Sequence, residues 1–180
     1  MKREIIISGF GGQGVLLMGK ILSYCGLFEG NEVTWMPAYG PEQRGGTANV
    51  TVIISEDRIA SPIVSTYDVA IVLNQPSLDK FVEKVKPGGI LIYDDNGIIN
   101  PPKRDDITIY SISAMEKAIE MKNSKVFNMI VLGAVIKVCQ PSLGKESLEK
   151  ALSKSLPERH HSLIPMNMLA VEEGMKMITV

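Results

Sequence analysis

The sequence predicts one α/β domain over residues 1–180, built on a central, largely parallel sheet with helices on both faces. Two observations predict this class. Short runs of β-branched residues alternate with helical patterns, and a glycine-rich turn joins the first strand to the first helix. The 180 residues are close to the ~150 typical of one domain, and neither a repeat nor a linker divides them.

The first two thirds of the chain alternate between strands and helices. Strands are predicted where apolar β-branched residues cluster, at Glu4–Ser8, Glu32–Met36, Thr47–Ser55, Val69–Leu73, Ile90–Tyr93 and Ile107–Ser111. A helical pattern begins at Gln13 and a second one runs from Leu78 to Val85, where apolar residues recur at i, i+3, i+4 and i+7. We expect Pro87-Gly88-Gly89 to end this second helix.

Beyond Ser111 the patterns are helical. Ser113 and Glu116 fit a capping box, in which the two side chains bond each other's free backbone amides. The segment Asn128–Cys139 is apolar on all sides, which favours a buried helix, with a strand as the alternative because Val and Ile also suit sheets. Two amphipathic helices should follow, one from about Lys145 and one after Pro165.

Composition excludes several classes of function. The net charge of −1, without any cluster of basic residues, argues against a nucleic-acid partner. The longest apolar run, Met129–Ile136, is far shorter than the ~18 residues of a membrane span. Cys25 and Cys139 alone form neither a disulfide framework nor a ligand set for zinc or an iron-sulfur cluster. We therefore expect a cytoplasmic protein with no membrane partner and no metal site.

The first unusual segment is a Rossmann-like glycine loop, Gly9-Phe10-Gly11-Gly12-Gln13-Gly14, which follows a strand and opens a helix. In this context glycines allow a tight turn and close approach of a phosphate to the helix N-terminus. A dinucleotide site also uses an acidic residue ~20 positions later, where this chain has Trp35-Met36-Pro37. The alternative is that the glycines let the helix pack on the sheet or accept another subunit's backbone.

The second unusual segment, residues 36–47, also follows a strand and should lie beside the glycine loop at the carboxyl ends of the sheet. Tyr39, Glu42 and Arg44 supply an aromatic face, a carboxylate and a guanidinium that can hold an anion through two hydrogen bonds. Gly45, Gly46 and Thr47 complete this segment. The alternative is a solvated loop with an internal pair between Glu42 and Arg44.

Three motifs together resemble the gamma subunit of the 2-oxoacid:ferredoxin oxidoreductases. They are Gly9–Gly14, Tyr39–Gly46, and Asn128-Met129 with Leu132-Gly133-Ala134, and the resemblance extends from Lys2 to the last helix. It implies a subunit of a thiamine-diphosphate-dependent complex that oxidatively decarboxylates a 2-oxoacid to its acyl-coenzyme A and passes electrons to ferredoxin. The segment Trp35–Tyr39 and the short chain favour 2-oxoglutarate or 2-ketoisovalerate over pyruvate as the substrate.

The resemblance also implies the partners of this chain. Alpha and beta subunits and a ferredoxin-like subunit would hold thiamine diphosphate, magnesium and the iron-sulfur clusters, so we expect no catalytic residue and no cofactor bound by this chain alone. Coenzyme A is a candidate ligand, and the isolated chain is a candidate homodimer. The candidate residues for cofactor binding or subunit contact are Gly9, Gly11, Gly12, Gln13, Gly14, Tyr39, Glu42, Arg44, Gly45, Gly46, Thr47 and Asn128.

Two alternatives stay open from the sequence. One is the small subunit of indolepyruvate ferredoxin oxidoreductase, which carries a related domain. The other belongs to a different class and is a stand-alone nucleotide-binding dehydrogenase domain, which would need an acidic residue after the second strand.

Overall fold

The computed structural model describes residues 2–40, 45–139 and 143–179, and these contain a six-stranded sheet. The strands are β1 (Lys2–Phe10), β2 (Glu32–Tyr39), β3 (Thr47–Ser55), β4 (Tyr67–Val72), β5 (Val85–Asp94) and β6 (Thr108–Ile112). Their order across the sheet is β2-β3-β1-β4-β5-β6. Only β3 pairs antiparallel with its neighbours, so the other five strands point the same way and the predicted, largely parallel sheet is confirmed.

Helices cover both faces of this sheet, as predicted. They are α1 (Val15–Phe28), α2 (Gln75–Phe81), α3 (Ala114–Glu120), α4 (Phe127–Val138), α5 (Lys145–Ser155) and α6 (Ile164–Lys176). Short 3₁₀ turns occupy Val82–Lys84, Asp95–Gly97, Ser124–Val126 and Glu158–Leu163. The larger core joins one face of the sheet to α1, α4, α5 and α6, and a smaller core lies under α2 on the other face. Among the described residues, no helix has the length and hydrophobicity needed to cross a membrane.

The central strand β1 shows why the early apolar run becomes part of a two-sided core. Ile5 and Ile7 belong to the larger core and Ile6 to the smaller one, and all three side chains are buried. A strand buried on both faces has a continuous hydrophobic run rather than an alternating one. Each fully buried isoleucine contributes about 1.5–3 kcal/mol, which favours β1 as the centre of the fold.

Two of the predicted boundaries that differ from the structure involve proline. The strand β2 continues through Pro37 to Tyr39, because β2 lies at the edge of the sheet, where a residue without an N–H group is tolerated. The segment Pro87-Gly88-Gly89 does not end a helix; it lies inside β5, after a helix that stops at Phe81. The pairing of β4 with β5 shifts register between Tyr67 and Val69, so the extra residues form a bulge.

The segment predicted as a buried helix over 128–139 is α4, and it packs closely against α6. A Cβ at Gly133 would overlap the carbonyl oxygen of Val171, and one at Gly174 would overlap the carbonyl oxygen of Ile130. Both obstacles are backbone atoms, which cannot move aside by changing rotamer. The two helices therefore approach each other at a distance that only glycine permits at these positions.

We predict that Gly174→Ala destabilises the protein, although the same change usually favours a helix by up to about 1 kcal/mol. The new methyl group forces α6 away from α4, at an expected cost of about 3 kcal/mol, the upper part of the usual range for overpacking, because the obstacle is backbone. Urea unfolding monitored by circular dichroism gives the free energy of unfolding. The exposed helical substitution Ser153→Ala serves as a control and should change it by less than about 0.5 kcal/mol. Equal stability of the Gly174→Ala protein and the wild type would contradict this packing.

Candidate functional site

Two loops meet at the carboxyl edge of the sheet because β2 and β3 form a hairpin. The antiparallel pairing of β3 with β1 sets Thr47, the first residue of β3, opposite Phe10, the last residue of β1. The Gly11 N–H donates to the Gly46 carbonyl at 2.8 Å, and the Gly45 N–H donates to the Gly11 carbonyl at 3.5 Å. The structure thus places Gly45, Gly46 and Thr47 directly against the glycine loop.

The side chain of Gln13 holds the glycine loop in place through hydrogen bonds to backbone groups. Its Oε1 accepts the Phe10 N–H at 2.6 Å, and its Nε2 donates to the Leu73 carbonyl at 3.4 Å, so the side chain ties the end of β1 to the end of β4. A Cβ at Gly9 would lie 2.5 Å from this Oε1. These contacts give Gly9 and Gln13 a role in shaping the loop, in addition to the binding role expected from the sequence.

Gly12 and Gly14 have positive φ angles of 99° and 78°, which L side chains rarely adopt. Gly12 faces open space, whereas the side chain of Asn128 fills the space beside Gly14 and its Cβ would lie 2.9 Å from a Cβ at that position. Asn128 stands in the first turn of α4. The structure therefore brings together two of the motifs that are 114 positions apart in the sequence (14 and 128).

One wall of the glycine loop borders a cavity of about 630 Å³, which we call the aromatic groove. It lies between the first turn of α1 and the hairpin of β2 and β3, and its larger side chains are Phe10, Leu16, Leu17, Trp35, Pro37 and Tyr39. Phe10, Trp35 and Tyr39 are 38%, 42% and 64% exposed, which is unusual for large apolar side chains gathered in one place. None of the described residues that line the groove carries a charge.

Sequence reasoning selected Tyr39 and Thr47 from this groove but missed Phe10 and Trp35. The sequence analysis used Trp35 only as the residue that stands where a dinucleotide site needs an acid and as part of the segment that favours 2-oxoglutarate or 2-ketoisovalerate, not as a candidate site residue. Trp35 is exposed because β2 lies at the edge of the sheet. The Trp35 side chain stands beside Gly19, whose missing side chain also lets α1 approach Val50. The one available signal was the aromatic content of the segment around the second loop.

The other wall of the glycine loop borders a smaller cavity of about 200 Å³, which we call the α4-side pocket. Its lining includes Gly12, Gly14, Met115, Ser124, Lys125 and Asn128. Sequence reasoning missed Ser124 and Lys125, which lie in the short 3₁₀ turn just before α4. Glu42 and Arg44, which the sequence also selected, lie outside the described residues.

The predicted capping box at the start of α3 is wrong. Ser113 makes no capping bond, and its hydroxyl donates instead to Asp95. The Ala114 and Met115 N–H groups donate to Oδ1 of Asp94, at 2.9 Å and 3.2 Å. The carboxylate of Asp94 is buried at the end of β5, next to the free N–H groups at the start of α3. It therefore accepts their hydrogen bonds in place of Ser113.

Burial raises the pKa of Asp94 above its usual value, and the bonds from Met115 and Ala114 offset only part of this rise. Burial likewise raises the pKa of the Cys25 and Cys139 thiols to about 12. Both side chains are buried in the larger core, so neither is accessible to an iron-sulfur cluster. Within residues 2–40, 45–139 and 143–179, no group of three or more His, Cys, Asp or Glu side chains could hold a metal ion.

The fold and the paired loops define an α/β domain with two glycine-containing loops at the carboxyl edge of its sheet, the edge at which open α/β sheets place their ligands. A family model described as pyruvate ferredoxin/flavodoxin oxidoreductase matches residues 4–177. The chain belongs to this family.

Curated relatives of this chain are subunits of 2-oxoacid oxidoreductases. The ketoisovalerate oxidoreductase subunit VorA of Methanothermobacter marburgensis is 39% identical over 171 residues, which cover 95% of this chain and 35% of VorA. The chain thus spans about a third of that relative's length. The 2-oxoglutarate synthase subunit KorC of Methanocaldococcus jannaschii is 35% identical over 177 residues, which cover 97% of this chain and 92% of KorC. The indolepyruvate oxidoreductase subunit IorB of Archaeoglobus fulgidus is more distant, at 23% identity over 192 residues.

Solved structures agree with these relatives. The gamma subunit of a keto/oxoacid ferredoxin oxidoreductase from Geobacter sulfurreducens is 28% identical, with a TM-score of 0.81 and 97% of both chains covered. The 2-oxoglutarate:ferredoxin oxidoreductase from Magnetococcus marinus, solved with 2-oxoglutarate, coenzyme A and succinyl-CoA bound, is 25% identical, with a TM-score of 0.88 over 98% of this chain and 31% of that chain. The gamma-subunit resemblance of the sequence is confirmed.

Substitutions of the loop glycines should separate backbone strain from crowding. We predict that Gly12→Ala costs about 1–2 kcal/mol, because it meets only the strain of a positive φ. Gly14→Ala should cost about 1–3 kcal/mol more, because its methyl group also overlaps Asn128. Adding Asn128→Ala to Gly14→Ala removes the contacts with Nδ2 and Cγ, at 2.3 Å and 2.8 Å, but keeps the Cβ at 2.9 Å, so it should recover only part of this second cost. Urea unfolding of Gly12→Ala, Gly14→Ala, Asn128→Ala and the double variant measures this. The model of this contact fails if Asn128→Ala gives no recovery.

The stability contributed by Asp94 should depend on pH. Its raised folded pKa means that the protonated form is favoured in the fold, so stability falls as pH rises from about 4 through that pKa. Asp94→Asn keeps an acceptor for α3 without the buried charge. We therefore expect it to be more stable than the wild type at about pH 7, with a smaller difference at about pH 4. Asp94→Ala removes the cap and should cost about 1 kcal/mol. A pH-independent difference between Asp94→Asn and the wild type, by urea unfolding, would show that Asp94 does not titrate in this way.

Proposed function

We propose that this chain is the gamma-type subunit of a 2-oxoacid:ferredoxin oxidoreductase complex. Such a complex oxidatively decarboxylates a 2-oxoacid to its acyl-coenzyme A and passes the electrons to ferredoxin. The observation that carries the proposal is the nearly complete overlap with KorC, a chain of similar extent that is itself a subunit. The relatives VorA and KorC support a branched-chain 2-oxoacid or 2-oxoglutarate as the substrate.

In this proposal the chain contacts a larger subunit and binds coenzyme A, and its partner subunits perform the chemistry. Thiamine diphosphate, magnesium and the iron-sulfur clusters are held by the alpha, beta and ferredoxin-like subunits. The thiols of Cys25 and Cys139 support this division because both are buried in the larger core, where they are inaccessible to a cluster. The complex would work in the cytoplasm.

The aromatic groove is the proposed contact with a larger subunit. In VorA and in the M. marinus enzyme, the matching segment is about a third of a longer polypeptide, whereas KorC and the G. sulfurreducens gamma subunit are close to this chain in extent. A domain that occurs both fused and separate needs a non-covalent contact in its separate form. Exposed Phe10, Trp35 and Tyr39 provide the kind of aromatic surface that protein interfaces favour. In the isolated chain, a second copy would cover the same surface and give a homodimer.

Coenzyme A is the proposed small ligand at the junction of the two loops. The backbone N–H groups of Gly12 and Gly14, which have no acceptor among the described residues, would hold a phosphate group. Arg44 would add a guanidinium, a contribution that rests on the sequence alone. Coenzyme A supplies the thiol that accepts the acyl group. The enzyme from M. marinus, solved with coenzyme A, supports this ligand class.

The two alternatives receive less support. The similarity to IorB is weaker than the similarity to VorA or KorC. A stand-alone dehydrogenase would need a ribose-binding acid at the end of β2, where the described chain has Pro37-Ala38-Tyr39.

Reconstitution tests this proposal. We expect the isolated chain to show no 2-oxoacid-dependent reduction of a viologen dye and the mixture with its alpha and beta partners to show it. Tyr39→Glu should weaken assembly about tenfold or more, because it places a charge in an apolar interface. Tyr39 is 64% exposed, so folding should be unaffected. Calorimetric titration of the chain into the partner subunits gives the dissociation constant.

The matched control is Ile63→Glu, a residue that is 79% exposed and does not line the groove. It should change the dissociation constant less than about twofold. Equal effects of the two variants would remove the groove from the interface. Turnover by the isolated chain would overturn the subunit proposal itself.

A further inference from the structure

Another cavity lies within the layer of helices, and we call it the helical cavity. It has a volume of about 300 Å³ and lies among α4, α5 and α6. None of the described residues that line it belongs to the aromatic groove or to the α4-side pocket. Its larger apolar side chains, which all lie in the larger core or pack against it, are Ile136, Leu143, Leu148, Met168, Val171 and Met175. The helical cavity is therefore a separate site with an apolar interior.

The helical cavity exists because α5 and α6 are held by different neighbours. The Gly144 N–H, just before α5, donates to Oε1 of Glu29, the residue that ends α1, at 2.9 Å. The α6 helix is instead packed against α4 through Gly133 and Gly174. These contacts fix α5 and α6 independently of each other, so a space remains between them.

An ion pair bridges this space on its solvent-exposed side. Nζ of Lys145, the first residue of α5, lies 2.6 Å from Oε1 of Glu172 in α6. Their side chains are 72% and 42% exposed, and they are the two charged residues in the described lining. An exposed ion pair of this kind stabilises a protein little, because water solvates both charges well. A carboxylate from solution can therefore replace Glu172 on the Lys145 ammonium at little cost.

The walls and the size of the helical cavity define the other half of its ligand. Voids larger than a water molecule are few in protein interiors, and those with apolar walls take up apolar molecules. A volume of about 300 Å³ is at the lower end of the roughly 300–1,000 Å³ found for small-molecule sites. Met168 and Met175, two turns apart in α6, give the wall flexible side chains that adapt to the shape of a ligand. These features suit a short aliphatic chain.

We propose that the helical cavity binds a short aliphatic carboxylate, with its apolar tail among α4, α5 and α6 and its carboxylate on Lys145 in place of Glu172. Such a ligand would contact α5 and α6 together and so link the two helices. The site does not rest on the proposed subunit role, because it consists of residues of this chain alone.

A titration of the full chain with isocaproate, a branched aliphatic carboxylate, tests the site. The chain carries isotope-labelled methionine methyl groups, and ionic strength is constant at about pH 7, where the ligand is ionised. The methyl signals of Met168 and Met175 should shift and saturate, with a dissociation constant on the order of millimolar. Acetate, which has the same charge and almost no tail, should bind at least about tenfold more weakly.

Three variants test the part played by the charge. Lys145→Met keeps an apolar stem without the ammonium and should weaken isocaproate binding about tenfold. Glu172→Gln removes the competing carboxylate and should strengthen binding about twofold or more. Lys150→Met is the matched control, since it removes the same charge from the same helix and from an ion pair with Glu146, but does not line the cavity. It should change binding less than about twofold.

Four results would overturn the proposal. These are shifts that do not saturate, shifts confined to methionines outside the cavity, equal binding of acetate and isocaproate, and equal effects of Lys145→Met and Lys150→Met. Lys145 is exposed, so its replacement should leave the fold intact. The methyl spectrum of each unliganded variant shows whether it is folded, which separates a loss of binding from a loss of structure.

Discussion

The antiparallel pairing of β3 with β1 is the constraint on which the site depends. It turns the segment after β2 back across the carboxyl end of β1, so that Gly46 accepts a hydrogen bond from Gly11. It also leaves β2 at the edge of the sheet, where Trp35 and Tyr39 remain exposed. With a parallel β3 reached through a crossover, Thr47 and the two glycines before it would lie at the opposite edge of the sheet from the glycine loop.

Close packing of neighbouring groups against glycine residues is the second structural feature of this molecule. Gly9 gives room to Gln13, Gly14 to Asn128, Gly19 to Val50, and Gly174 to the carbonyl of Ile130. These positions tie the glycine loop to β4, α4 and the hairpin, and they tie α4 to α6. The glycine loop therefore separates the aromatic groove from the α4-side pocket, and these packing contacts hold it in place between the two.

This arrangement fits a subunit better than an independent catalyst. Asp94, a buried carboxylate at the end of β5, accepts hydrogen bonds from the N–H groups that begin α3, and the two thiols lie in the core with pKa values raised to about 12. The polar side chain at the centre of the glycine loop, Gln13, is occupied by backbone partners. Among the described residues, the aromatic surface of Phe10, Trp35 and Tyr39 lies on one side of the loop and Lys125 lies on the other.

The sequence by itself determined the α/β class, the existence of the six helices and six strands that the structure describes, and the glycine loop, because each depends on local patterns of apolar residues and glycine. It also determined the family, through three motifs that are distinctive only together. The predictions that involved proline and helix capping were wrong. Pro37 lies in an edge strand and Pro87 lies at a bulge, where a residue without an N–H group is tolerated. Asp94 caps α3 from 20 positions away in the sequence.

Only the tertiary structure decided the direction of β3, the exposure of Trp35 and the placement of Lys125 and Gly12 in the lining of one pocket. These features depend on which strands pair and which helix stands beside which loop. Such choices are made by contacts between residues far apart in the chain, and they leave no periodic signal in the local sequence.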